Sequence, residues 1–234
     1  NSAAIVRFSQ KLGFGGYTEF KVQFLAEMME RIRNPQVTDF SMTDRDTVQS
    51  LMDKVTGLEV EALRSTRGML DSAQFMRALA MLSKAQHVDF YAMDKNLNIA
   101  QLAAEGFLMA NKGATVHTAM TMQYLSATSV QKGHVGFFIS RTGENRMLID
   151  IAHLLKLRSV PRLLLTSAPS STLASLSDVT FPVATVDSLE KLGPRIFLLG
   201  AKYVTDLLFA VLMTRLDFSD AKKKDQWLSG HFYY

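Results

Sequence analysis

Apolar side chains recur every three or four positions through the first third of the chain, and this spacing predicts helices. In the first segment Ile5, Phe8 and Leu12 share one face, and the glycines at 13, 15 and 16 end the pattern. Two later segments begin at Thr43 and Asp71, residue types that accept hydrogen bonds from the first turn of a helix. The predicted helices cover 2–12, 17–33, 43–67 and 71–84.

Beyond residue 85 the pattern changes to short apolar or β-branched runs separated by helical periodicity. The predicted strands are 87–91, 115–118, 135–140, 162–166 and 179–183, and helices are predicted over 99–112, 119–131, 145–158 and 189–216. Strands that alternate with helices require crossover connections and therefore a parallel sheet with helices on both faces. We expect an α/β fold, a five-stranded parallel sandwich of the flavodoxin type.

Composition narrows the class of protein. With 47% hydrophobic and 21% charged residues the chain has enough apolar surface for a packed core. It has no cysteine, which excludes disulfides and thiolate metal sites and fits a cytoplasmic location. The apolar stretch 196–216 includes Lys202, Asp206 and Arg215, so we interpret it as a buried helix and expect no membrane contact. The first residue is Asn1, with no signal peptide, so we expect further residues upstream.

Two regions resemble one known family. The run SAAIVRF over 2–8, KLGF over 11–14 and GYTEFK over 16–21 resembles the recognition helix and the following helix of RpiR-type regulators, with Ala4 where the family usually has threonine. Residues 72–216, with the strand-end motif SRTGE over 140–144, resemble the sugar-isomerase (SIS) domain of the same family. The resemblance implies a dimeric DNA-binding regulator that responds to a phosphorylated sugar.

The resemblance implies a DNA-binding surface on the first two helices, because a recognition helix reads bases while nearby groups hold phosphates. Ser2 and Arg7 are the candidates for base contacts, and Ser9, Lys11 and Lys21 are the candidates for phosphate contacts. The net charge of +4 agrees with a nucleic-acid partner without requiring one. The alternative is that these side chains are the solvated face of an amphipathic helix.

A candidate effector site follows the third predicted strand, because ligands of open α/β sheets bind beyond the carboxyl ends of the strands. The candidate contacts are Ser140, Thr142, Gly143 and Asn145, which lie where a helix starts, and unpaired amides at a helix start suit a phosphate. Arg141 or Arg146 adds positive charge. The alternative is that Ser140 or Thr142 only caps the helix.

Two further loops border the same edge of the sheet. After the fourth strand Ser167 and Ser171 are candidate ligand contacts, although a serine-rich run is equally typical of a plain turn. After the first strand, positions where most SIS domains have two glycines and a serine are occupied by Ala92, Asp94 and Asn96. Asn96 is a candidate contact, whereas Asp94 repels a phosphate. The pocket therefore binds a different ligand, uses Lys95 as a compensating cation, or has lost binding.

These predictions define four segments: a C-terminal part of a helix-turn-helix domain (1–34), a linker with a dimerisation helix (35–70), an SIS domain (71–218) and a tail (219–234). We expect partners to be operator DNA, a phosphosugar or related effector, and a second copy of the chain. We expect no catalytic residue, metal or cofactor, since the five histidines lack metal-ligand spacing. Two rivals remain: an isomerase or lyase that uses Glu105 as acid or base, and a regulator whose SIS domain serves only as a dimerisation scaffold.

Overall fold

The computed structural model describes residues 2–33, 41–185 and 192–215, and side chains over 4–25, 41–185 and 192–214. The predicted tail, 219–234, lies outside the described residues. The chain forms two compact units that divide between Val60 and Glu61. The division falls inside one long helix, ten residues before the predicted start of the SIS domain at 71.

The first unit contains α1 (Ser2–Lys11), α2 (Tyr17–Arg33) and the start of α3 (Val48–Met69). Both predicted helices at the N-terminus are confirmed. The turn between them contains Gly13 at φ +89°, a conformation that glycine adopts without strain. Phe20 of α2 contacts the rings of Phe8 and Phe14 at centroid distances of 6.1 and 5.4 Å. This aromatic cluster packs α1 against α2.

The predicted helix 43–67 begins later than its pattern indicates. Thr43 N does donate to Asp46 Oδ2 at 2.8 Å, as a capping box requires, but this bond closes a turn ahead of the helix. The actual cap is Thr47, whose hydroxyl accepts from Ser50 N at 3.1 Å. Lys54 Nζ lies 2.7 Å from Asp46 Oδ1, and this contact lowers the pKa of Asp46 to about 2. The turn is therefore tied to the helix that follows it.

The second unit is a parallel sheet covered by helices on both faces. Its elements are α4 (Ser72–Lys84), β1 (His87–Ala92), α5 (Asn96–Met109), β2 (Gly113–Val116), α6 (Met120–Ser129), β3 (His134–Ile139), α7 (Arg146–Leu157), β4 (Arg162–Thr166), α8 (Thr172–Leu176), β5 (Val179–Pro182) and α9 (Gly193–Arg215). The strand order β2-β1-β3-β4-β5 confirms the predicted fold class. The order reverses between β1 and β3.

Alternating strand residues serve two separate cores. Val88, Phe90 and Phe137 face α4, α5 and α9, whereas Tyr91 and Phe138 face α6, α7 and α8. The predicted cap Asp71 is confirmed, since its carboxylate accepts from Ala73 N and Gln74 N. The short helix α8 was not predicted, because its five residues are fewer than two turns and give no periodic signal.

The last helix is apolar enough to resemble a membrane span, and its window Gly193–Thr214 meets the length and composition of one. Its side chains belong to the core of the sheet unit: Phe197, Ala201, Val204 and Leu208 are fully buried there. The interpretation of this segment as a buried helix is confirmed. Predicted positions 189–191 and 216 lie outside the described residues.

The C-terminal end of α3 also belongs to this unit. Thr66 is fully buried, and its hydroxyl accepts from Ala184 N at 3.1 Å beyond the end of β5. Gly200 of α9 leaves space for it, because a Cβ there would lie 2.9 Å from Thr66 Oγ1. Residues 61–69 are therefore part of the sheet unit rather than a linker.

Candidate functional site

A cavity of about 260 Å³ lies at the carboxyl ends of β1 and β3, where the strand order reverses. Two loops form most of it, the one after β1 and the one after β3. Its lining is Met93, Asp94, Lys95, Asn96, Ser140, Arg141, Thr142, Asn145, Leu148, Pro194 and Phe197. Five of the predicted effector contacts meet here: Asn96, Ser140, Arg141, Thr142 and Asn145.

The loop after β3 directs hydrogen-bond donors into the cavity. Ser140 Oγ accepts from Gly143 N at 3.2 Å, which leaves its hydroxyl hydrogen to donate to a ligand. Asn145 caps α7 by accepting from Leu148 N at 3.2 Å, so its side-chain NH₂ is left to donate. The first-turn amides of α7, those of Arg146 and Met147, have no carbonyl four residues back within the helix. The cap is therefore Asn145, and the alternative that Ser140 or Thr142 caps this helix is wrong.

Three predicted contacts lie outside the cavity lining: Gly143, Ser167 and Ser171. Ser167 Oγ donates to Arg141 O at 2.9 Å, and Ser171 Oγ accepts from Ala174 N at 3.4 Å as the cap of α8. Gly143 lies against Ser171 in a left-handed conformation at φ +66°. Their role as ligand contacts stays a prediction. In the structure, the Ser167 bond and the packing of Gly143 against Ser171 hold the loop after β3 against the loop after β4.

Further bonds strengthen this attachment between the two loops. Thr166 Oγ1 donates to Arg141 O at 3.0 Å, and Ser167 N donates to the same oxygen at 3.0 Å. Glu144 Oε1 accepts from Thr172 N at 2.8 Å, and this bond lowers the pKa of the Glu144 carboxyl. The loop that carries Ser140 and Asn145 is therefore fixed before any ligand arrives.

The loop after β1 contains a left-handed residue although it has no glycine. Asp94, at a position where SIS domains usually have glycine, has a φ of +50°. Aspartate is one of the few residues that tolerates this region. Asp94 is exposed and has no ion-pair partner within the described ranges, so it is a negative group at the rim of a cavity that otherwise offers Lys95 and Arg141. The departure from the family pattern therefore adds a negative charge at a left-handed position of this loop.

Sequence reasoning missed Gln123, which fixes the start of this loop. Its side chain is 1% exposed and bonds to Ala92 at both backbone groups: Ala92 N donates to Oε1 at 3.2 Å, and Nε2 donates to Ala92 O at 2.8 Å. Gln123 lies 31 positions along the chain from Ala92, in a helix of no charged residues. In the sequence Gln123 is one glutamine in a predicted helix, and no motif marks its role.

The candidate DNA-binding residues lie on the first unit. Arg7 and Lys11 are exposed on α1 and Lys21 is exposed on α2, as a phosphate-binding face requires. Ser9 is fully buried, and its hydroxyl donates to Ile5 O at 3.0 Å. Its predicted phosphate contact is therefore corrected to a role within the helix. Ser2 belongs to α1, but its side chain lies outside the described residues.

The described part of the chain contains no group of three or more histidine, cysteine, aspartate or glutamate side chains able to hold a metal ion. Two histidines do meet, because β1 and β3 pair in register at His87 and His134. His134 Nδ1 lies 2.6 Å from Asp89 Oδ2, so the buried carboxylate of Asp89 has a partner. This cluster lies at the opposite end of the strands from the cavity.

Comparison with known proteins shows where the chain belongs. A family model described as the SIS domain matches residues 81–201, more than half of the chain. An uncharacterised HTH-type transcriptional regulator of Caldanaerobacter subterraneus subsp. tengcongensis is 24% identical over 220 residues, covering 94% of this chain and 77% of the relative. The match therefore includes both units.

Solved structures share the fold. The sugar isomerase domain of an RpiR transcription factor from Sphaerobacter thermophilus has a TM-score of 0.70 at 20% identity, covering 78% of this chain and 99% of that one. The NanR protein of Vibrio vulnificus, solved in complex with ManNAc-6P, has a TM-score of 0.69 at 19% identity, covering 97% of this chain and 80% of that one. The resemblance to RpiR-type regulators is thereby confirmed. The chain belongs to the SIS domain family.

Proposed function

We propose that this protein is a DNA-binding transcriptional regulator whose SIS domain binds a phosphorylated sugar or a related metabolite. The proposed binding of a phosphorylated sugar rests on one observation: the cavity where the strand order reverses is lined by hydrogen-bond donors from the loop after β3. The hydroxyl of Ser140, the NH₂ of Asn145 and the first-turn amides of α7 are the groups that bind a phosphate. The carbohydrate part then lies toward Asp94, Lys95 and Asn96.

The size and charge of the cavity support a small anionic ligand. Its volume of about 260 Å³ lies slightly below the range usual for small-molecule sites, about 300–1,000 Å³, and therefore suits a small ligand. Lys95 directly follows Asp94 in the described lining and offsets the charge of its carboxylate. Of the three alternatives left by the sequence, compensation by Lys95 agrees best with this arrangement.

A regulator is favoured over an isomerase by the helices that precede the sheet unit, because the match to an HTH-type transcriptional regulator covers 94% of this chain. The cavity agrees with either function, since its lining includes Asp94 and Lys95, two residue types that transfer protons. Glu105, the candidate acid or base of the enzyme alternative, is exposed on α5 and does not line the cavity. The same fold serves enzymes and regulators, so this distinction rests on the first unit rather than on the architecture.

A thermal-shift panel tests the ligand half. The chain is heated with hexose, pentose and N-acetylhexosamine phosphates, and each phosphate is matched by its unphosphorylated sugar. We expect one phosphorylated compound at about 100 times its Kd to stabilise the protein by about 2.7 kcal/mol, which is several degrees in Tm. Stabilisation by no phosphorylated compound would instead favour the scaffold alternative.

For the proposed binding of DNA, we assign Arg7, Lys11 and Lys21 to phosphate or base contacts, and Ser2 to a base contact. The intact regulator, with its complete helix-turn-helix domain, should bind DNA with an affinity that falls steeply as salt rises, because cations on the protein replace condensed counterions. Lys21→Gln should reduce the salt slope by about one unit, whereas Lys84→Gln, on a helix of the sheet unit, should leave it unchanged. A slope that is the same in both variants would contradict the assignment of Lys21.

We also propose a homodimer. Val48 and Met52 on α3 are 71% and 59% exposed, a large apolar area for a solvated helix face. The outward face of α6 carries Met122 and Leu125, and the helix has no charged residue to solvate it. A monomer by light scattering at micromolar concentration would contradict this assembly. In the cytoplasm such a dimer is the form that would meet two operator half-sites.

A further inference from the structure

The hydrogen-bond ladder of β1 continues past the end of its neighbour β2. The register between them stops at Phe90 and Val116, whereas β1 runs on to Ala92, which pairs with Ile139 of β3. In a parallel sheet, each inner strand directs backbone groups to both of its neighbours. The last residue of β1 therefore needs a partner that β2 does not supply.

Gln123 takes the place of that missing strand residue. A side-chain amide carries one carbonyl acceptor and an N–H donor, the same pair of groups as a peptide unit. Both are used, at 3.2 and 2.8 Å, on the N–H and C=O of Ala92. The pair is fully buried, so water cannot replace either bond without opening the site.

The two hydrogen bonds between Gln123 and Ala92, called the clamp below, lie next to the cavity. Ala92 is the residue directly before Met93, Asp94, Lys95 and Asn96, all of which line the cavity. Two residues beyond the end of β1, Asp94 turns the chain through a left-handed conformation, which costs free energy for a residue other than glycine. A fixed Ala92 gives this turn its starting point.

We propose that Gln123 is a positioning residue for effector binding, which sets the loop after β1 so that its side chains reach a ligand held by the loop after β3. This role rests on the proposed function, in which the phosphate lies at Ser140 and Asn145 and the sugar lies at residues 94–96. Loss of the clamp should weaken contacts to the sugar and leave the phosphate contacts in place.

The first test needs no ligand. Hydrogen exchange is measured by mass spectrometry on the full chain for Gln123→Met, with Gln101→Met on the exposed face of α5 as the matched control. Gln123→Met should speed the exchange of amides 92–97 by about tenfold, the effect of losing a buried hydrogen bond, and leave amides 140–146 within about twofold of the wild type. Equal exchange over 92–97 in both variants would overturn the proposal.

A second variant separates positioning from general loss of stability. Gln123→Glu keeps an acceptor for Ala92 N, but its carboxylate cannot donate to Ala92 O. When protonated, the same side chain again offers a donor and an acceptor, and burial raises the pKa at which this occurs. Protection of amides 92–97 in this variant should therefore return as the pH is lowered from 8 to 5. Exchange that keeps the same ratio to the wild type at both values would contradict the clamp.

A third experiment measures ligand affinity by isothermal titration, with N-acetylmannosamine 6-phosphate and inorganic phosphate as the two probes. Gln123→Met should weaken the sugar phosphate by about tenfold and inorganic phosphate by less than about twofold. Equal weakening of both would overturn the positioning role. Wild-type protein that binds neither probe would count against the proposed function, while the exchange experiment still decides whether the clamp holds the loop.

Discussion

Replacing Gly143 with alanine is expected to lower the free energy of unfolding by about 2–4 kcal/mol and to abolish effector binding. The residue has a φ of +66°, where a Cβ costs about 1–2 kcal/mol. The added Cβ would also overlap the hydroxyl of Ser171 and lie 2.5 Å from its Cβ. Relief of this contact must move the loop after β3, which carries Ser140 and Asn145.

Thermal or urea unfolding of Gly143→Ala, followed by titration with the best phosphosugar, checks this result. The matched control is Gly68→Ala near the end of α3, where an added Cβ meets nothing within 4 Å. That change should be neutral or should stabilise the helix by up to about 1 kcal/mol. A Gly143→Ala protein with wild-type stability and affinity would show that the two loops are not packed as described.

Replacing Arg162 with methionine should destabilise the sheet unit by about 2–4 kcal/mol, mainly because it leaves two buried carbonyl acceptors unpaired and also removes an ion pair with the partly exposed carboxylate of Asp178. Arg162 is 7% exposed at the start of β4. Its guanidinium donates to Leu176 O at 2.5 Å and Val160 O at 2.6 Å, and Nη2 lies 2.9 Å from Asp178 Oδ2. These bonds join β4 to the segment before β5.

The control is Arg77→Met, which removes one exposed bond, from Arg77 Nη2 to the carbonyl of the same Asp178 at 3.2 Å. It should cost no more than about 1 kcal/mol. Urea unfolding of both variants measures the difference. Similar midpoints for Arg162→Met and Arg77→Met would mean that the Arg162 network contributes no more than a surface contact.

The strands could be predicted because their signal is local. Runs such as 135–139 and 163–165 are continuous and apolar, as strands buried on both faces must be, and the structure has strands there. The cavity could also be located, since the strand order of this architecture fixes which loops meet at its edge. Ser140 and Asn145 therefore meet where expected.

The remaining features depend on tertiary contacts that no local pattern records. Ser9 follows the spacing of an exposed phosphate contact but turns inward to the carbonyl of Ile5. Ser167 lies on the correct loop, yet its hydroxyl is used to hold the Arg141 carbonyl. Gln123 reaches Ala92 only because α6 packs where β2 ends. Ser167 and Gln123 thus satisfy backbone groups that only the folded chain brings near them. The Ser9 bond is local, to the carbonyl four residues back in the same helix, and it is the burial of Ser9 that depends on the fold.

The central claim is that the cavity between the loops after β1 and β3 recognises the phosphate of a sugar phosphate. Isothermal titration of the strongest compound from the panel, beside its unphosphorylated sugar, tests this most directly on wild-type protein and on Ser140→Ala. We predict that the unphosphorylated sugar binds at least about 100-fold more weakly, and that Ser140→Ala weakens the phosphorylated ligand by about tenfold, since it removes a hydrogen bond to a charged group. Equal affinity for the two sugars, or a Ser140→Ala protein that binds as tightly as the wild type, would contradict it.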